Sequence, residues 1–325
     1  MRGTVKPTFS ATVSLHYRAC PNSSLLSHCA PLREFRQVVL ICPMCHALLH
    51  RIERSLACPR GHSFDVAREG YVNLLRSNHP GDTREMLAAR RRFLERGYFA
   101  PIARRLCEVA ASHLTSSAAD SVNARSVVDA GCGEGYYLGL FQQQLRANDE
   151  IEVQYLGVDS SREACRMAAQ RHKEICFAVS DLKDLIPVAD SSVDLLLNVF
   201  APRSVDEFTR VLRPSGLVVV VIPQPSHLGE LRSTFRLIGI EGNKADHLIY
   251  RFEPSLQLIH REPLEYELVL EPEAIIDLIG MSPSQRHLTE PLHPLSGPLT
   301  VTVSTEILTF RRAIDGAGPE SVTSR

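Results

Sequence analysis

No apolar run in the 325-residue chain approaches the roughly eighteen residues that a membrane helix needs. That absence excludes a helical span and leaves a soluble protein with no membrane partner as the expectation. Met1 to Arg33 contains no acidic side chain, four basic ones, many Ser and Thr, and no continuous apolar stretch. The missing stretch excludes a secretory signal. The missing acids fit either an organellar transit peptide or a misassigned start upstream of Val38, and both readings stay open. Residues 1–37 are therefore set aside as a disordered extension. The protein is expected in the cytoplasm, or in an organelle on the transit-peptide reading. Net charge is scarce as well, but the −1 total hides +9 over residues 1–112 (17 Lys and Arg, 8 Asp and Glu) and −10 over the rest (19 and 29). A basic front half suits a polyanionic partner, and a solvated basic helix would look the same.

The nine cysteines lack the spacing of a disulfide framework, and Cys132, Cys165 and Cys176 fall in a predicted turn, helix and strand. Two close pairs stand out instead. Cys42-Pro-Met-Cys45 is followed, after twelve residues, by Cys58-Pro-Arg-Gly-His62. Three thiolates and one imidazole on two tight turns form the closed set of four that structural zinc uses. Arg51 to Ser55 is polar enough to turn a short hairpin that brings the pairs together. A redox role would need a strand and helix directly after Cys45, and the pattern there is absent. With no open coordination position, the metal is expected to staple a unit too small to hold a core alone.

His79-Pro-Gly-Asp82 reads as a turn whose Asp82 caps a helix over Glu85 to Leu94. That helix carries Met86, Leu87, Phe93 and Leu94 on one stripe and Arg84, Arg90, Arg91 and Arg92 along a basic edge, which reads as a phosphate track or as a plain solvated face. Gly97 to Pro101 breaks it, Ile102 to Ala111 starts another helix, and residues 112–121 read as a loop.

The second half opens with a buried strand, Ser126-Val-Val-Asp-Ala130, then Gly131-Cys-Gly-Glu-Gly135 and a helix over Tyr136 to Leu145. Gly131 and Gly133 let the backbone approach a ligand closely, and Asp129 is expected to brace the turn. Tyr155-Leu-Gly-Val-Asp159 is the next strand. It ends in an acid placed to hold a ribose diol, or simply to cap the following helix. Ile175 to Asp181 ends in a second acid, suited to an adenine amino group or else an ordinary loop acid. Val193 to Pro202, Arg213-Pro-Ser-Gly216 and Leu217 to Ile222 follow. A nicotinamide enzyme would need Gly-x-Gly-x-x-Gly, and here the third glycine arrives early. The set has the order of S-adenosylmethionine-dependent methyltransferases. The expected fold is therefore α/β, a class I (Rossmann-like) methyltransferase domain whose seven-stranded sheet is completed by strands over Leu264 to Leu270 and Val301 to Phe310, with a helix over Glu273 to Ile279.

From about Val38 to Phe310 the chain resembles the 23S ribosomal RNA guanine-N1 methyltransferases. The resemblance is carried by Cys-Pro-x-Cys at 42–45, the run from Gly61 to Leu75, Pro-Gly-Asp at 80–82, Ala-Arg-Arg at 89–91 and the run from Asp129 to Tyr137. Leu197 to Arg203 and Met281 to Ser284 look more like the branch modifying position 748 than the one modifying position 745. The resemblance implies one structural zinc on Cys42, Cys45, Cys58 and His62. It also implies S-adenosylmethionine contacts at Gly133, Glu134 and His227 and an aromatic contact before Pro101, where Phe99 stands in place of the usual Tyr. His227 read alone would be a surface helix cap. The implied partner is 23S rRNA, methylated at N1 of a guanine in a hairpin loop, with a homodimer left open. Asn198 and Phe200 are the candidates for holding the base. The organisation expected is an extension (1–37), a zinc-binding RNA-recognition module (38–76), a helical linker (77–121), the methyltransferase domain (122–313) and a disordered tail (314–325). A small-molecule methyltransferase and a non-catalytic RNA binder with a decayed cofactor site are the competing classes.

Overall fold

A computed structural model describes residues 38–77, 81–116, 124–146, 152–237, 239–240, 242–253, 255–282 and 295–313. The expected extension and tail, His79-Pro80 and Pro283-Ser284 lie outside the described residues. All described residues belong to one compact unit, Arg36–Arg325.

Three short strands, β1 (His50–Ile52), β2 (Ser55–Ala57) and β3 (Ser63–Asp65), form an antiparallel sheet behind the cysteine turns. The hairpin between β1 and β2 turns at Glu53, whose φ is 51°. A fourth strand, β4 (Tyr71–Asn73), leaves this module and pairs in parallel with β7 (Cys176–Val179).

The main sheet has eight strands in the order β10-β11-β9-β8-β5-β6-β7-β4. Its seven-stranded part follows the expected pattern: β5 (Arg125–Ala130), β6 (Val153–Asp159), β7, β8 (Val193–Val199) and β9 (Leu212–Pro223) run parallel, while β11 (Leu299–Arg312) is antiparallel to both β9 and β10 (Leu256–Leu270). Every residue of β5 and β8 is buried, as two central strands covered on both faces require. The eighth strand, β4, was not expected. Tyr71 and Val72 are both 4% exposed, so the module is held by core packing on the β7 edge as well as by its metal ligands.

Helices cover both faces. α1 (Arg84–Glu95), α2 (Ala100–Ser116), α3 (Tyr136–Arg146) and α8 (Pro272–Gly280) contribute Phe93, Leu106, Phe141 and Leu278 to one core. α5 (Val205–Val211) and α7 (Lys244–Phe252) contribute Phe208 and Phe252 to the other, where Val38, Leu40, Leu56 and Leu74 of the front module also pack. α4 (Arg162–Arg171) lies between β6 and β7, and α6 (Gly229–Phe235) follows β9. Fully burying each large apolar side chain contributes about 1.5–3 kcal/mol, so the shared core fixes the front module far more firmly than a linker could. α2 runs on to Ser116, past the start of the expected loop.

At the foot of the sheet Asp194 gathers Arg125 (3.2 Å), Arg213 (2.9 Å) and the Ser126 amide (2.8 Å), which accounts for the arginine of the Arg-Pro-x-Gly sequence. Strand order reverses between β5 and β8, and ligands bind at the carboxyl ends of strands at such a point.

Candidate functional site

The metal ligands converge. Cys42 Sγ lies 3.5 Å from His62 Nδ1, Cys58 Sγ lies 3.4 Å from the same nitrogen, and Cys45 Sγ lies 3.6 Å from Cys58 Sγ. All four ligand atoms fall within 4.8 Å of one another. Bonds of about 2.0–2.3 Å to a tetrahedral zinc give ligand separations of roughly 3.5–3.8 Å, so the donor set and its spacing fit one structural zinc bound through Nδ1 of His62.

The second site is a cavity of about 600 Å³ at the carboxyl ends of β5, β6, β8 and β9. Gly131 (φ 95°) and Gly133 (φ 54°) form its floor. A Cβ on Gly131 would lie 2.2 Å from Cβ of Ala201, so only glycine lets the β5 turn and the β8 turn approach this closely. Asp159, rather than Asp129, braces the turn: its carboxylate accepts the Gly133 amide at 2.9 Å and the Ser161 amide at 2.8 Å. The cap of α4 is Ser161, whose hydroxyl accepts from Ala164 N. Asp129 is 1% exposed with Oδ1 unpartnered, and burial, reinforced by the Asp159 charge, pushes its carboxyl up to about 8. The expectation that Asp129 braces the turn is corrected because β5 directs its carboxyl into the protein, where it meets no turn amide.

Glu134 is 1% exposed and lines the cavity. Burial raises its carboxyl, opposed by Arg171 at 3.4 Å and Arg91 at 3.8 Å, and Oε1 has no hydrogen-bond partner. A buried acceptor left open on the wall, beside a glycine cradle that a Cβ would fill, fits the amino-acid end of S-adenosylmethionine. Asp159, whose carboxylate holds the Gly133 amide, fits its ribose. Asp181 is not on the wall: its Oδ1 accepts the Lys183 amide at 2.9 Å and stabilises the loop after β7.

Three rings line the same cavity. Phe99, Phe200 and His227 stand with centroids 6.1, 6.2 and 5.9 Å apart. Phe200 has a left-handed backbone (φ 53°), a conformation that costs a non-glycine residue of order 1–3 kcal/mol, and it remains 38% exposed. His227 is buried instead of capping a surface helix; Nδ1 accepts the Ser304 amide at 3.2 Å, and burial lowers the ring to about 4. Asn198 is absent from the wall. It is fully buried, and Nδ2 donates to Ala130 O (2.7 Å) and Pro202 O (3.0 Å), tying the β8 turn to β5. Its expected base contact is therefore replaced by a bracing role.

The arginine edge of α1 also differs from a phosphate track. Arg84 pairs with Glu163 (3.1 Å), Arg90 with Asp82 (2.7 Å), Arg91 with Glu134 (3.8 Å) and Arg92 with Asp277 (2.6 Å). These charges dock the helix on α4, α8 and the glycine turn, because acids on those elements face it. Thr83 caps α1 in place of Asp82, whose carboxylate reaches into the cavity with Arg90. Sequence reasoning missed Asp82, Arg90, Arg232 and Met281 as wall residues. Only the run of arginines hinted at any of them.

Residues 40–80 match the family described as RlmA, N-terminal, a zinc ribbon, and residues 128–220 match the family described as Methyltransferase domain. The chain is 38% identical over 251 residues to the 23S rRNA (guanine(748)-N(1))-methyltransferase of Streptomyces fradiae, covering 76% of this chain and 86% of that protein. It is 39% identical over 295 residues to a Micromonospora griseorubida protein provisionally named a 23S rRNA (guanine-N(1)-)-methyltransferase, covering 84% of this chain and 97% of that protein. At this identity and coverage, the chain belongs to the 23S rRNA (guanine-N1)-methyltransferase family.

Proposed function

We propose that this protein methylates N1 of a guanine in a hairpin loop of 23S rRNA, using S-adenosylmethionine, with position 748 favoured over 745. The observation that carries the reading is the cavity itself, whose wall combines a glycine cradle, a buried acceptor without a partner and a strained, partly exposed aromatic residue. The similarity to a relative named for position 748 supports the choice of guanine. When bound, the cofactor supplies an electrophilic methyl on its sulfonium.

The chain's own residues orient and enclose. Gly131, Gly133, Glu134 and Asp159 fix the cofactor's two polar ends, and Phe99 stacks against it without the hydroxyl that Tyr would bring. Phe200 offers its ring to a looped-out base, the usual mode for single-stranded RNA. Asn198 holds the turn that presents Phe200. Orientation of this kind supplies much of the rate in a direct displacement. Zinc at Cys42, Cys45, Cys58 and His62 shapes a module that meets the RNA beyond the target base. The protein acts in the cytoplasm as a soluble enzyme; among the described residues no helix is long and apolar enough to cross a membrane. A homodimer rests on the resemblance alone, and a solution mass by light scattering checks it.

Labelled S-adenosylmethionine with unmodified 23S rRNA, followed by primer extension, tests the reading. N1-methylguanine blocks the Watson-Crick edge and stops the polymerase in the hairpin. Label transfer without a stop at 748 or 745 would reject it.

A further inference from the structure

Two arginines line the cavity, Arg90 and Arg232, and of these only Arg90 is ion-paired with a carboxylate among the described residues. Arg90 is bound to Asp82 at 2.7 Å and donates to Met281 O at 3.3 Å. Arg232, on α6, donates Nη2 to the carbonyl of Pro225, while Nη1 is buried with no hydrogen-bond partner. The nearby carboxylate of Glu230 is committed elsewhere, accepting the Thr302 amide at 2.9 Å and the Thr302 hydroxyl at 2.7 Å. A buried guanidinium N–H without an acceptor is costly, and a ligand oxygen would complete it.

The place of Arg232 says which ligand. It shares the cavity wall with Phe200, Pro202, His227 and Leu228, and Phe200 is the ring on which a looped-out base would stack. Guanine presents a carbonyl oxygen, O6, beside the N1 that receives the methyl, whereas adenine presents an amino group at the same position. A guanidinium can only donate, so it complements O6 and rejects the amino group.

Resting on the function proposed above, we propose that Arg232 contacts O6 of the target guanine, selecting guanine over adenine and stabilising the charge that develops as N1 is methylated. The N1–carbon bond forms as the carbon–sulfur bond breaks, and sulfur keeps that electron pair as a neutral thioether. The N1–H pair stays on the base, where N1 and O6 share the charge, and the proton leaves to solvent water. His227 cannot take that proton through Nδ1, which already accepts the Ser304 amide. In the neutral ring Nε2 then carries the hydrogen and is a donor. With no basic nitrogen free on this ring, the charge on the base is met by Arg232, as a donor preset in an oxyanion site meets the charge of its transition state.

The test compares wild type with R232Q and R232K on a 23S rRNA fragment, with calorimetric S-adenosylmethionine binding measured in parallel. R232Q should lose on the order of 10²-fold in kcat, in line with removal of one such donor, with cofactor Kd unchanged and R232K recovering part of the loss. The deficit should shrink as pH rises into the range where guanine N1 ionises unaided, since the variant then no longer has to stabilise that loss of a proton. An R232Q rate equal to wild type, or a deficit of the same size at every pH, overturns the proposal. Should R232Q fail to bind the cofactor through misfolding, R232K decides in the same way through its own pH profile. Failure of the wild type to methylate any guanine would show before the variants are compared, and it would remove the proposed function and this inference together.

Discussion

Replacing Gly131 with alanine separates two costs that glycine normally hides together. At φ 95° an alanine occupies the left-handed side of backbone space, which costs about 1–2 kcal/mol. Its Cβ would also sit 2.2 Å from Cβ of Ala201, against an optimum near 3.5–4.0 Å, so the two turns must part by about 1.5 Å. Overpacking of this kind costs about 1–3 kcal/mol, for a total of roughly 2–5 kcal/mol. Gly70 is the control: its φ is 108°, yet nothing lies within 4 Å of an added Cβ, so G70A carries only the backbone cost. Thermal melts should therefore rank wild type, G70A, then G131A, at roughly 2–4 °C per kcal/mol for a domain of this size. Calorimetry should show G70A binding S-adenosylmethionine as wild type does, and G131A binding it much more weakly, because parting the turns moves the cradle and Phe200 at once. Equal melts for the two variants, or unimpaired binding by G131A, would refute the close approach as the reason for glycine.

Chelation should release one zinc per chain and loosen residues 42–62, while hydrogen exchange shows β4 still protected through its pairing with β7; coupled exchange of β4 would mean that the metal holds the whole module. Asp129→Asn should stabilise the cofactor-free protein at neutral and higher pH. Its folded carboxyl titrates near 8 against an ordinary 3.8, so stability falls as pH rises between those values, and the amide removes that slope in a pH series of melts. His227 works in the opposite window: its ring titrates near 4 when folded and near 6.5 when unfolded, so acidification through that range removes about 3 kcal/mol, and H227Q should flatten the corresponding part of the melting curve. Asn198→Ala should cost more stability than Phe200→Ala, since the first strips two carbonyls of their donor and the second truncates an exposed ring; Phe200→Ala should instead lower methylation of RNA with cofactor binding retained.

What the sequence made legible was what it encodes locally. The zinc ligands lie in two pairs of near neighbours, so spacing alone predicts their meeting, and the glycine turn declares itself because its residues and the strand before it are contiguous. β5, β6 and the final two strands show as apolar or alternating runs for the same reason. Strand β4 does not: three residues are too few for a pattern, and its partner β7 lies about a hundred positions away. Asn198 was misread for a related reason. On a strand buried on both faces, alternation no longer tells which side chains point toward a cavity, and only the carbonyls of Ala130 and Pro202 show that its amide nitrogen is spent.

The arginines make the same point about charge. In sequence, Arg90, Arg91 and Arg92 form a cationic run that suggests RNA, whereas in space each meets an acid from the loop before the helix, the glycine turn or α8, 8 to 185 positions away. Arg232 stands outside any run and looks ordinary in sequence, yet among the cavity's described residues it is the cation left without a carboxylate. The local density of positive charge therefore reports how α1 is docked, and the absence of an ion-paired carboxylate at Arg232 reports where a ligand's oxygen is awaited. If that holds, reversing Arg92 to Glu should damage docking of α1 and lower the melting temperature, while neutralising Arg232 should not lower the melt and should impair the RNA reaction.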